Sequence, residues 1–87
     1  MKIAKRYDAS GMGCPTAMIE LNKSIHGLMI GDVLEFISGE KFMPLDVESW
    51  SRRTGHELIE TVEKAGIFHF FIRKCERRQT LPRTGPA

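Results

Sequence analysis

Cysteine is scarce in this sequence: Cys14 and Cys75 are the two thiols in 87 residues. That is too few for a disulfide-stapled secreted scaffold, so each is read first as a free thiol in a reducing compartment. No Cys-x-x-Cys pair occurs, which excludes a self-contained dithiol oxidoreductase. Long apolar runs are missing too. Ile67-Phe68 and Phe70-Phe71-Ile72, interrupted by His69, fall far short of the ~20 residues that a membrane-spanning helix needs. The opening Met1-Lys2-Ile3-Ala4-Lys5-Arg6 has charge with no apolar stretch behind it, so neither a signal peptide nor membrane insertion is expected. The expected location is the cytoplasm. Cys14, Cys75, His26, His56 and His69 show no recognised metal-ligand spacing, and no zinc site is expected.

An excess of one charge is lacking as well. The net charge is +2, and residues 76–87 account for it, with Arg77, Arg78 and Arg83 against Glu76 (three minus one). Residues 1–75 then carry ten basic and ten acidic side chains and sum to zero. A basic balance confined to a tail gives little support to a nucleic-acid surface, and nucleic acid is not expected as a partner. The pairs Lys5-Arg6, Arg52-Arg53 and Arg73-Lys74 could meet an acidic partner, but each reads more simply as a solvated edge.

What is present is an ordinary globular mix, 41% hydrophobic and 28% charged, sized for one domain with a small core. Ile3 to Asp8 reads as a short strand and Ser10-Gly11-Met12-Gly13 as a loop. Pro15 suits the start of a helix, where its missing N–H had no partner. Met18, Leu21, Ile25 and Leu28 then recur at helical spacing and form one apolar stripe. Val33 to Ile37 is rich in strand formers. Pro44 opens a second helix with Asp46 and Glu48 early, Arg52 and Arg53 late and Gly55 as a left-handed cap; Leu45, Val47 and Trp50 are its expected buried side. Leu58 to Val62 and Ile67 to Lys74 read as strands joined by a Glu63-Lys64-Ala65-Gly66 turn. In the last strand Phe68, Phe70 and Ile72 share one face, and Ile67, His69, Phe71 and Arg73 the other. The expected fold is a two-layer α/β sandwich of order βαβαββ over residues 1–75, followed by a flexible basic tail over 76–87. Within that tail, Leu81-Pro82-Arg83-Thr84-Gly85 has the form of a sortase signal. It lacks the flanking segments of one and reads as a coincidence or a cloning remnant.

Cys14 is the position where local chemistry looks arranged. Directly before Pro15, it falls at the helix N-cap or beside it, where orphan N–H groups and the positive end of the dipole favour a thiolate. Thiols so placed titrate between about 3.5 and 7.5 rather than near 8.5. The flanking Gly11 and Gly13 leave the sulfur unshielded, as thiol exchange or sulfur carriage requires. No base is tied to the sulfur in sequence, so hydrolytic cysteine catalysis lacks its partner. Cys75 reads as an incidental strand-end thiol, with a resolving role as the alternative. Asp8 is expected to shape the turn rather than take a proton.

Tyr7-Asp8-Ala9-Ser10-Gly11-Met12-Gly13-Cys14-Pro15 resembles the opening of the TusA/SirA-like (YhhP/YeeD-type) sulfur-carrier family. Gly31-Asp32-Val33-Leu34-Glu35 and the stretch from Trp50 through Thr54-Gly55-His56-Glu57-Leu58 extend the resemblance, which runs from about residue 7 to residue 74. It implies a four-stranded mixed sheet with two helices on one face. It also implies that Cys14 carries sulfur as a persulfide, without a bound cofactor. The expected donor is a cysteine desulfurase or rhodanese-like protein, and the acceptor a TusD/DsrE-like or other protein serving tRNA thiolation, cofactor sulfuration or sulfur oxidation. Such a chain is a persulfide relay rather than a stand-alone enzyme. The family motif Cys-Pro-x-Pro is altered here to Cys14-Pro15-Thr16-Ala17, and Ala17 is expected to restore a backbone N–H that aids the thiolate. The alternative reading is a regulatory or RNA- or protein-binding module on the same fold.

Overall fold

The computed structural model describes residues 2–76; the tail from residue 77 onward, including Leu81 to Gly85, lies outside the described residues. The elements follow the order β1 (Ile3–Asp8), α1 (Cys14–His26), β2 (Val33–Ser38), α2 (Met43–Thr54), β3 (Glu57–Lys64) and β4 (Ile67–Arg73). They build a four-stranded mixed sheet of order β1-β2-β4-β3. β1 and β2 run parallel, while β4 is antiparallel to both β2 and β3. The last strand among the described residues is therefore a central strand of the sheet.

Register explains why both helices cover the same face. Leu34 stands opposite Ile72 and Phe36 opposite Phe70, so these four side chains share one surface. Ala17, Leu21 and Ile25 of α1 and Met43, Val47 and Trp50 of α2 close over them in a single buried cluster. Tyr7 stacks on Phe36 with ring centroids 5.8 Å apart, and its hydroxyl donates to Glu20 Oε1 at 3.2 Å. Partial burial, followed by that bond and the nearby carboxylate charge, raises the phenol above its ordinary pKa. The helix-free face is mixed. Val33 and Ile37 are only 8% and 6% exposed there. Their neighbours on that face include Arg6, Glu35, His69 and Arg73, long side chains whose stems cover apolar surface.

Four expectations of detail differ. The first helix stops at His26, so Leu28 packs on the core from the following loop; Ala17, absent from the expected stripe, is wholly buried. α2 starts at Met43, one residue before Pro44, with Phe42 as N-cap and no capping side chain. That start puts Met43 in the core and leaves Leu45 64% exposed, so Leu45 is not part of the buried side. β3 extends to Lys64, which shortens the hairpin turn to Ala65-Gly66. β4 ends at Arg73 rather than Lys74, so Cys75 lies two residues beyond the strand.

The hairpin turn places Ala65 at φ 51° and Gly66 at φ 82°. A two-residue turn of this hand wants positive φ at both positions, and Asn-Gly is its favoured pair. Ala65→Asn should therefore relieve about 1 kcal/mol of backbone strain. The expected readout is a rise in Tm of about 4–8 °C in a calorimetric scan.

At the opposite end of the sheet, Lys74 secures the end of α1. Its Nζ donates to the carbonyls of His26 at 3.2 Å and Leu28 at 2.6 Å. A cation on the last carbonyls of a helix completes hydrogen bonds the helix cannot make for itself and opposes the dipole. Lys74→Met keeps most of the stem and removes the donor. It should lower stability by about 1–2 kcal/mol in urea unfolding, with the m-value unchanged.

Candidate functional site

Because β1 and β2 are parallel neighbours, both deliver the chain to the same end of the sheet. Pairing continues one residue past β1, where Ala9 N–H donates to Ile37 O at 2.8 Å. Asp8 then turns the chain, its Oδ1 accepting the Ser10 N–H at 3.0 Å. Hydrogen bonds from the Ser10 side chain and then its backbone hold the Asp8 carboxyl below the usual carboxylate range. This bond strengthens the turn above the unfolded carboxylate value and is lost as pH falls through the lower folded one.

The loop ends at Gly13, which caps α1 at φ −73° and ψ 166° with no side chain to satisfy the helix. Cys14 is the first residue of α1 and Pro15 the second. The first turn contains no acidic residue, so no carboxylate within it offsets the positive end of the helix. Pro15 has no N–H to give. Ala17 N–H is already engaged, donating to Gly13 O at 2.9 Å as the first intrahelical bond. The expectation that Ala17 supplies a donor to a thiolate is thus corrected: its N–H closes the first turn, and its methyl is buried in the core.

Gly11 and Gly13 are exposed, and a Cβ built on either would meet no atom within 4 Å. Neither has positive φ. Nothing inside the fold requires glycine at these two positions.

The other singled-out residues are dispersed. Cys75 belongs to the opposite end, its N–H donating to Nδ1 of the buried His56 at 3.1 Å. His56 also packs against Trp50, ring centroids 5.4 Å apart. His26 is exposed near the end of α1. Among the described residues no three His, Cys, Asp or Glu side chains gather as metal ligands. The basic pairs do not converge. Arg6 meets Glu35 at 3.4 Å, Arg52 meets Glu48 at 3.7 Å and Arg73 meets Glu57 at 2.7 Å.

Two features have no counterpart in the sequence reading. Glu35 takes Arg6 on one oxygen and His69 Nδ1 on the other, the latter at 2.8 Å, joining β1, β2 and β4 across the helix-free face. A groove of about 500 Å³ lies between the helices, lined by Met18 and Asn22 of α1 and by Asp46, Ser49, Trp50 and Arg53 of α2. Trp50 Nε1 donates across it to Asn22 Oδ1 at 2.8 Å, fixing the two helices together. Trp50 was singled out for the core; its bond to Asn22 spans 28 residues and leaves no local sequence pattern.

With this geometry in hand, the comparison with known proteins is decisive. A family model described as Sulfurtransferase TusA matches residues 5–74. The chain belongs to the TusA family. The Sulfur carrier protein TusA of Allochromatium vinosum is 36% identical over 70 residues, covering 80% of this chain and 92% of that protein. The Sulfur carrier protein TusA of Pseudomonas putida strain F1 is 33% identical over 67 residues, covering 77% and 84%. Bacillus subtilis YrkF is 35% identical over 74 residues, which is 85% of this chain but only 40% of YrkF. The TusA match takes in every element of the fold except the first two residues of β1. No helix among the described residues is long and apolar enough to cross a membrane.

Proposed function

We propose that this TusA-family chain is a sulfur carrier that accepts a sulfur atom on Cys14 and passes it to an acceptor protein. The observation that supports this most is the position of Cys14. It opens α1 behind a glycine cap, in a turn without acid, on a chain whose relatives are named sulfur carriers.

The Cys14 thiolate attacks the outer sulfur of a donor persulfide. A new S–S bond forms on Cys14, the donor S–S bond breaks, and the donor departs as a thiolate. The outer sulfur stays at the sulfane oxidation level it had in the donor persulfide, so no external oxidant or reductant enters. In the second step an acceptor thiolate attacks the outer sulfur and Cys14 leaves as a thiolate. The positive end of α1 favours the anion in both steps, lowering the pKa of the attacking group in one and of the leaving group in the other. Pro15 presets the first turn, and Gly11 and Gly13 admit the partner's reacting sulfur. No bound cofactor is needed, because the cargo is covalent. The donor is a cysteine desulfurase or a rhodanese-like protein. The acceptor, of TusD/DsrE-like or other type, serves tRNA thiolation, cofactor sulfuration or sulfur oxidation.

The test is to incubate the protein with a cysteine desulfurase, cysteine and pyridoxal phosphate, then weigh the intact chain. A gain of one sulfur mass is expected for the wild type and for Cys75→Ser, and none for Cys14→Ser. Loading that persists in Cys14→Ser would refute the assignment.

A further inference from the structure

The end of the molecule that bears Cys14 also carries two exposed apolar side chains that the fold does not use. Phe42 and Leu45 are 66% and 64% exposed at the start of α2. They stand three residues apart, the spacing that brings side chains together on a helical surface. The strands show that they share an end with Cys14. β1 and β2 are parallel neighbours, so the loop into α1 and the loop into α2 leave the sheet side by side. Gly39 confirms it, since a Cβ there would come within 3.3 Å of Ser10 O in the other loop. Isolated exposed apolar residues are ordinary, but a pair at the same end as a reactive position offers a contact surface for a partner.

Charge is segregated along the same axis. Asp8, Glu40 and Asp46 lie at the Cys14 end against Lys41, while Glu63 and Lys64 of the hairpin cancel. The opposite end is basic, with Lys2, Lys23, Arg53, Arg73 and Lys74 against Asp32, Glu57 and Glu76, while Arg52 is paired with Glu48. Gly11 and Gly13, with no internal need for glycine, keep the surface low where a partner must come closest.

We infer that Phe42 and Leu45 are the apolar anchors by which the sulfur-donor protein docks, its contact surface being an apolar socket rimmed by lysine and arginine. This deepens the carrier assignment and rests on it. The anchors hold the donor's persulfide over the start of α1, and the acidic surround steers the basic rim toward it.

The experiment measures initial rates of sulfur loading on wild type and on Phe42→Ser/Leu45→Ser from two donors. One is a cysteine desulfurase supplied with cysteine, the other glutathione persulfide. Both substituted side chains are exposed, so an unchanged thermal melt is expected and is checked first. With the desulfurase, the double variant should show KM raised about tenfold or more with kcat little changed. The wild-type rate at low desulfurase concentration should also fall as NaCl is raised. With glutathione persulfide, both proteins should load at the same rate. Equal rates with the desulfurase, or equal slowing with both donors, would overturn the docking surface while leaving the carrier function standing. A wild type that takes sulfur from neither donor would remove the carrier function itself.

Discussion

Trp50→Ala should unfold this protein more readily than any other single truncation, lowering stability by about 3–5 kcal/mol. Its side chain is 1% exposed and is the largest in the core. Truncation leaves a cavity beneath α2 and also removes the indole N–H bond to Asn22 that spans the interhelical groove. For a domain of this length the loss is a large share of a total near the lower end of ~5–15 kcal/mol. Urea unfolding followed by far-ultraviolet circular dichroism is the measurement, since the variant has no tryptophan to report. Trp50→Phe separates the two contributions. It refills most of the volume and loses the hydrogen bond, whose acceptor Asn22 is exposed and returns to water. A loss of only about 1–2 kcal/mol is expected there. Comparable losses in both variants would mean that the bond, rather than the packing, holds α1 and α2 together.

The second large effect is chemical. Alkylation of Cys14 by iodoacetamide in a Cys75→Ser background should run about tenfold faster at pH 7 than alkylation of an unstructured cysteine peptide. Its rate should level off at a pH below the ordinary thiol value of about 8.5. The cause is the start of α1, where neither the Gly13 cap nor an acidic side chain in the first turn satisfies the helix. Thr16→Glu tests that cause with opposite signs. Thr16 is exposed in the first turn, and a carboxylate there complements the dipole, adding about 0.3–1 kcal/mol of stability. The same negative charge disfavours the thiolate and should slow alkylation at pH 7. A more stable but equally reactive Thr16→Glu protein would separate the reactivity of Cys14 from the helix end.

The order of elements was legible because the local signals agree. Pro15 and Pro44 sit within a residue of the two helix starts, Gly55 is a left-handed cap at φ 88°, and the alternation in Phe68 to Arg73 assigns the faces of β4 correctly. Leu45 was misplaced because nothing in the residues before α2 marks its start. Phe42 is an N-cap without a capping group, and a shift of one position moves Met43 into the core and Leu45 out of it. Ala17 was read for its N–H alone, yet the position is defined by the turn it closes and the core it enters. Lys74 on α1 and the Glu35 contacts with Arg6 and His69 depend on strand order. A strand pattern gives the face of a residue, but not which strand will lie beside it. For the candidate site, the sequence names Cys14, Gly11, Gly13 and Pro15, and its proline marks the helix that Cys14 opens. The loops that meet around them come from separate crossovers and become neighbours only when β1 and β2 pair.

The place of β4 between β2 and β3 bears on how the chain matures during synthesis. Five earlier elements leave the ribosome before the strand that joins the two halves of the sheet exists. Until it arrives, β2 has one bare flank, Phe36 lacks the side chain it opposes, and α1 ends without its lysine. A nascent chain stopped before residue 67 displays an open strand edge to its surroundings. Cooperative structure must await the final stretch, and a truncation that removes β4 would cut through the middle of the sheet rather than trim its border.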